Sequence, residues 1–237
     1  MKPLLKTKLV VFDFDGLLID SYDIMKATFE SFGLDIGDEE RFRDRRKFLK
    51  YLGGGRELLG NLVRFSVPRE QTVREGLTRQ FLQNGRVYPA FTPLLNQMIV
   101  SPDIHVGVVS RNFTLNPGMT IRTVLRNSDI DDRGLDFVIP LPVGTRKDDV
   151  LAAMKSSHYT LCLFAGDEIG DYRAGSATGY DVAMASYGFD THRRLTSKGG
   201  VPDTCIHDTP EALVETLSQR ITLADVPVPL AVESSAI

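Results

Sequence analysis

Tryptophan is missing, cysteine occurs twice and histidine four times in a chain of 237 residues. Two cysteines cannot make the disulfide framework of a small secreted domain. Both Cys162 (in TLCLFAGD) and Cys205 (in DTCIHD) lie in apolar, strand-like runs and read as core thiols in a reducing compartment. The histidines, His105, His158, His192 and His207, have no metal-ligand or triad spacing with one another. Charge of one sign is lacking too: 28 Lys+Arg stand against 31 Asp+Glu. That balance offers no basic field for nucleic acid. The one local basic run, RFRDRRKFLK at 41–50, is interrupted by Asp44, Phe42, Phe48 and Leu49, as a solvated helix face would be. No apolar run reaches the roughly 20 residues needed to cross a bilayer, and the N-terminal MKPLLKTKLVVFDFD passes directly into a first strand. A soluble cytoplasmic protein without nucleic-acid or membrane partners is expected.

What is present is organised around LVVFDFDGLLIDS, residues 9–21. Four apolar residues lead into Asp13, the pattern of a buried strand ending at its carboxyl edge. Asp13 and Asp15 are two apart, so in extended chain both carboxylates point to one side. Gly16 then lets the backbone turn away. Acids at the carboxyl end of a parallel strand sit where open α/β sheets form their ligand crevice. An isolated Asp-x-Asp is also met in ordinary acidic turns, so the rest of the chain must carry the argument.

From Asp20 and Ser21, both able to cap a helix, apolar residues recur at Met25, Phe29 and Phe32, with Gly33 as a stop. Further helices are predicted over about 39–52, over Leu58–Val63 up to Pro68, and through Val73, Leu77 and Phe81 to Gly85. Nothing between about 21 and 86 has the pattern of a strand. After Tyr88-Pro89, strands and helices alternate: strands at 104–109, 137–139, 160–165, 182–185 and near Cys205, and helices from Thr92-Pro93, around 117–126, and over 146–156, 171–178 and 210–220. Such alternation specifies right-handed crossovers and a mostly parallel sheet. The fold class predicted is thus α/β, a doubly wound Rossmann-like sheet with an inserted helical domain. The boundaries are 1–20 and 87–222 for the core, 21–86 for the insertion, and 223–237 for a tail without periodicity.

Three more pieces stand at predicted strand ends or helix starts. Ser110 ends HVGVVS, where a hydroxyl and the free backbone N–H groups beyond it, from Arg111 onward, can receive a phosphate oxygen. Lys147 opens a helix in VGTRKDDV, an end of the dipole that disfavours cations unless anions lie nearby. GDEIGD places Asp167 and Asp171 four apart across a turn into a helix, where Asp171 also suits the first turn as a dipole-complementing acid. Were these neighbours of Asp13 and Asp15, four carboxylates would crowd two strand ends. Their pKa values would rise or a cation would bind. Oxygen ligands without His or Cys point to Mg²⁺ rather than zinc.

The ordered set Asp13-Phe-Asp15-Gly, Ser110, Lys147 and Gly166-Asp167-xxx-Asp171 resembles the haloacid dehalogenase-like hydrolases. More narrowly, it is similar to the branch holding phosphoglycolate phosphatases and β-phosphoglucomutases. The likeness extends from about residue 8 to 220, and the helical insertion matches that branch's cap domain. The resemblance implies Asp13 as nucleophile and Asp15 as general acid and base. It implies Ser110, Arg111 and Lys147 as phosphate-binding, and Asp13, Asp15 (through its carbonyl), Asp167 and Asp171 as holding Mg²⁺. It implies a phosphatase of a small phosphorylated metabolite, active as a monomer or homodimer. A phosphomutase and a catalytically idle binding relative are the alternatives; a dehalogenase would not need Asp15. Two positions depart from the family pattern. Leu17 replaces Thr or Val, and Asp148 replaces the Pro that commonly follows the lysine, which leaves Arg146 as a possible substitute for Lys147. In the insertion, Gly53-Gly54-Gly55-Arg56 falls where relatives place a specificity loop, so Arg56 is either a reader of the leaving group or a solvated turn residue.

Overall fold

The computed structural model describes residues 6–34, 70–142 and 144–223. Its first strand, β1 (Lys8–Phe12), is buried at all five positions. It is followed by α1 (Ser21–Ser31), α2 (Glu70–Asn84), α3 (Phe91–Val100), β2 (Ile104–Ser110), α4 (Pro117–Arg126), β3 (Phe137–Pro140) and α5 (Lys147–Met154). Then come β4 (Leu161–Gly166), α6 (Ile169–Ala177), β5 (Asp181–Ala185), α7 (His192–Gly199), a 3₁₀ turn (Asp203–Cys205), β6 (Ile206–His207) and α8 (Pro210–Leu223). Among the described residues no helix is long and apolar enough to cross a membrane.

The strands form one six-stranded sheet in the order β3-β2-β1-β4-β5-β6, and every pairing is parallel. Successive residues of β1 serve opposite faces, as a period of two requires. Val10 and Phe12 join the layer packed by Leu95 and Met98 of α3, Val124 of α4 and Leu213 of α8. Leu9 and Val11 join the layer closed by Leu151 of α5, Ala174 of α6 and Leu195 of α7. Each such fully buried aliphatic or aromatic side chain contributes roughly 2 kcal/mol of transfer free energy. Both faces being covered is why the strands read as continuous apolar runs. The chain leaves β1 to build β2 and β3 on one side, then returns to build β4 on the other. The order therefore reverses at β1, and the crevice at its carboxyl end lies between β1 and β4.

Helix α1 begins as its sequence requires, with the Asp20 carboxylate accepting from the Tyr22 and Asp23 amides. Ser21, offered above as a second cap, instead turns its hydroxyl to Asp15 at 2.8 Å. Beyond Gly16 the chain makes a short bridge from Ile19 to Val87, antiparallel, with the Tyr88 amide donating to the Leu18 carbonyl at 2.8 Å. The way out of the core and the way back thus run side by side.

The sequence reading missed α7. HRRLTSKG carries only one buried residue, Leu195, so no apolar stripe announces it, and His192 is the helix's first residue. Cys205 lies in the 3₁₀ turn, with the strand beginning one residue later. The helices predicted over 39–52 and 58–67, the Gly53–Arg56 turn, the basic run at 41–50 and the tail from 224 lie outside the described residues.

Candidate active site

Past the end of β1 the chain stays extended for one more residue, held by the Asp13 amide on the Ala165 carbonyl at 2.9 Å. This fixes the Asp13 side chain over the β1–β4 crevice, 6 % exposed. Its Oδ1 accepts from the Phe14 amide at 2.8 Å and its Oδ2 lies 3.0 Å from Lys147 Nζ. Gly16 follows at φ +83°, and a Cβ there would stand 2.3 Å from Asp167 Oδ2. Only glycine meets both demands. The Asp13 and Asp15 carboxylates line one cavity of about 540 Å³ but face different partners. Asp15 accepts from Ser21, and from Asn112 Nδ2 at 3.3 and 3.1 Å on its two oxygens.

Lys147 is the first residue of α5, with an 11 % exposed side chain. It sits between two carboxylates, 3.0 Å from Asp13 and 2.6 Å from Asp171 Oδ1. This resolves the oddity of a lysine at a helix N-terminus, since the anions it needs are across the crevice. Arg146, the alternative, is exposed and forks onto its neighbour Asp148. Arg111 is exposed at the cavity rim and donates to the Thr145 carbonyl at 2.9 Å. Ser110, at the end of β2, has a buried hydroxyl that makes no hydrogen bond of full geometry. It nevertheless lies close enough to Asp13 to favour the carboxylate's charged form.

Asp171 serves two purposes. Its Oδ2 accepts from the amides of Asp167 and Glu168 at 3.2 and 3.1 Å, closing a capping box at the start of α6. Its Oδ1 faces Lys147. Gly166 is obligatory here, because a Cβ on it would lie 2.5 Å from that of Asp171. Asp167 is fully buried, and its Oδ2 accepts from the Phe189 amide at 2.6 Å. The Tyr187–Phe189 loop that supplies this donor, and Gly188, whose Cβ would strike Asp167 at 2.5 Å, had no recognisable motif. Asn112 was missed likewise. Its partner Asp15 lies 97 residues away, so only the folded sheet pairs them.

Among the described residues the pocket is acid-rich, with Lys147 buried at its centre. Burial pushes Asp13 up to about 7, against the pull of Lys147, and pushes Asp15 up to about 6 against its bonds from Ser21 and Asn112. For Lys147 burial favours the neutral amine, but the charges of Asp13 and Asp171 outweigh it and hold the ammonium well above its usual range. Burial likewise opposes ionisation of Asp171. Lys147 and the backbone donors prevail, keeping it below the ordinary carboxylate range. Carboxylate oxygens of Asp13, Asp167 and Asp171 lie within 4.8 Å of one another, all buried. An all-oxygen, strongly anionic set of this size suits a hard divalent cation such as Mg²⁺.

The doubly wound parallel sheet carries these acids and the lysine at its switch point, where open α/β sheets form their ligand crevice. No protein-family model matches the chain. The phosphoglycolate phosphatase of Aquifex aeolicus (strain VF5) is 26 % identical over 224 residues, 90 % of this chain and 98 % of that one. A haloacid dehalogenase-like family hydrolase from Streptococcus pneumoniae superposes with a TM-score of 0.59 at 17 % identity, over 91 % of this chain and 99 % of its own. A Thermotoga maritima protein provisionally assigned as a β-phosphoglucomutase does so with 0.59 at 15 %, over 90 % and 99 %. The chain thus shares the fold of these structures and is similar in sequence, along nearly its whole length, to a phosphoglycolate phosphatase.

Proposed function

We propose that the protein is a Mg²⁺-dependent phosphatase of a small phosphorylated metabolite, acting through an aspartyl-phosphate. The observation that carries this reading is Lys147 bridging Asp13 and Asp171 beside the Ser110 hydroxyl. That arrangement offers a carboxylate nucleophile and a cation in reach of one phosphoryl group. In the first step Asp13 Oδ2 bonds to phosphorus, the ester P–O bond breaks, and the Asp15 carboxyl gives its proton to the departing oxygen. In the second, Asp15 takes a proton from a water whose oxygen attacks phosphorus. The bond to Asp13 breaks, and inorganic phosphate leaves. An Asp15 held at about 6 by burial can run in both directions near neutral pH. Ser110 and Lys147 hold the phosphoryl oxygens throughout, with Arg111 at the rim.

Asp13, Asp167 and Asp171, with the Asp15 carbonyl, would hold Mg²⁺, which offsets the repulsion between nucleophile and phosphate. The span 21–86 acts as a cap in this reading. Its described parts, α1 and α2, give Met25, Leu77 and Phe81 to the cavity wall. The setting is the reducing cytoplasm, in keeping with two free cysteines. A screen of phosphorylated metabolites with and without Mg²⁺, following inorganic phosphate, tests the proposal. Mg²⁺-dependent release supports it. Transfer of the phosphoryl group onto a second sugar phosphate without release favours the mutase alternative, and inertness on every ester refutes it.

A further inference from the structure

The contacts of Asp15 lead away from the β1–β4 crevice. Asn112, whose Nδ2 reaches both Asp15 oxygens, is buried, and its amide cannot turn round. The Asn112 Oδ1 already accepts from the Thr114 amide at 3.1 Å and the Thr114 hydroxyl at 2.6 Å. With two donors on the carbonyl end, the amide must present its NH₂ to Asp15. Thr114 is itself fully buried, and its carbonyl accepts from Arg74 Nη2 of α2 at 2.9 Å. The next amide, Leu115, donates to the Thr78 hydroxyl of α2 at 2.9 Å, and that hydroxyl donates to the Arg74 carbonyl at 2.6 Å. An unbroken run of hydrogen bonds thus joins one face of α2 to Asp15.

We propose that Asn112 is a positioning residue for Asp15, and that α2, through Arg74 and Thr78, sets it by fixing the 112–115 loop. The proposal rests on Asp15 being the acid and base described above. Asn112 neither gives nor takes the proton and acts through its bonds to the Asp15 carboxylate. It fixes which way the carboxylate faces, and so how well its proton is aligned with the leaving oxygen. Any shift of α2 over the core is thereby passed to the proton donor.

The test compares two esters on the full chain with Mg²⁺: β-glycerophosphate, whose alkoxide must be protonated to leave, and 2,4-dinitrophenyl phosphate, whose phenolate need not be. Asn112→Ala and Asn112→Asp both remove the donor, and the second keeps the acceptor for Thr114. Each is expected to lower kcat/KM for β-glycerophosphate about 10- to 100-fold while changing that for the dinitrophenyl ester about twofold or less. Arg74→Ala should reproduce the same selectivity at about fivefold, Arg74→Lys should restore it, and Arg74→Ala should have no further effect once Asn112 is alanine. Equal losses on the two esters, no loss on either, or additive effects of the pair would overturn the proposal. Crystal structures of wild type and Asn112→Ala decide the positioning role apart from turnover. An Asp15 carboxylate turned away, with Asp13 and Lys147 in place, supports it even if neither ester is hydrolysed and the phosphatase reading fails. An unmoved Asp15 overturns it.

Discussion

The two edges of the same sheet treat charge in opposite ways. At the amino edge, Lys8 meets Asp103 at 2.9 Å and Lys6 meets Asp136 at 2.5 Å, cation to anion. The Ser101 hydroxyl and Lys8 hold the Asp103 carboxyl below its ordinary value. At the carboxyl edge, Asp13, Asp167 and Asp171 crowd within 4.8 Å, with Lys147 between two of them. There burial lifts Asp13 to about 7. Carboxylates are held ionised by their partners at one edge, whereas at the other Asp13 and Asp15 are pushed toward the neutral form even as Lys147 and Asp171 keep each other charged. An uncomfortable cluster at a ligand crevice is the cost a working site imposes on its fold.

The comparison breaks most severely at Asp13. Asp13→Asn keeps the shape but removes the proposed nucleophile, so turnover of any phosphate ester should fall about 10³-fold or more. Circular dichroism should be unchanged, and near-wild-type kinetics would refute the assignment. Next, excess EDTA should abolish turnover and Mg²⁺ restore it, while Asp167→Ala should raise the Mg²⁺ concentration for half-activity about tenfold or more. Full activity in chelator would exclude the cation.

The third prediction separates neighbours. Lys147→Ala should cost about 10²-fold in kcat/KM, since in the proposed mechanism it removes the charge aimed at the transferring group. Arg146→Ala, losing only its exposed pairing with Asp148, should cost about twofold or less. Reversed magnitudes in parallel assays would make Arg146 the working cation.

The smallest effect is on stability, and it sharpens the contrast directly. Asp103, held low, stabilises the fold above the ordinary carboxylate range, and that contribution is lost as pH falls through its folded pKa. Asp13, held at about 7, works the other way. Its contribution is fully present only below the unfolded value of 3.8 and is lost as pH rises through about 7. In metal-free protein at pH 8, Asp13→Asn should therefore raise the melting temperature by a few degrees and Asp103→Asn should lower it. Calorimetry on the two variants checks both signs, and matching signs would mean the edges do not differ as described.

Local pattern carried much of this into the sequence. β1, β2 and β4 are buried on both faces, so their apolar runs and the acids or serine that end them were visible as written. Lys147 could be suspected because a cation at a helix start calls for an anion. What stayed hidden depends on separation in the chain. Asn112 acquires its task from Asp15, and Asp167 its donor from Phe189, by contacts no local rule encodes. Ser21 was misassigned because Asp20 alone suffices as the cap, freeing the serine for Asp15. Helix α7 escaped because one leucine makes no periodic stripe.

The bridge between Ile19 and Val87 has a consequence for how this molecule can vary. Because exit and return are paired, the ends of the intervening chain lie about one strand spacing apart, ~5 Å. Closing a loop across that gap costs little more for a long insert than for a short one, about 0.6 kcal/mol per doubling of length. Chain closure therefore places little limit on the length of the span between Ile19 and Val87, whereas the packing of α1 and α2 against the core does constrain it. Length can change in the chain between α1 and α2, while the faces of α1 and α2 that meet the core, and the contacts of α2 with the 112–115 loop, have to be kept.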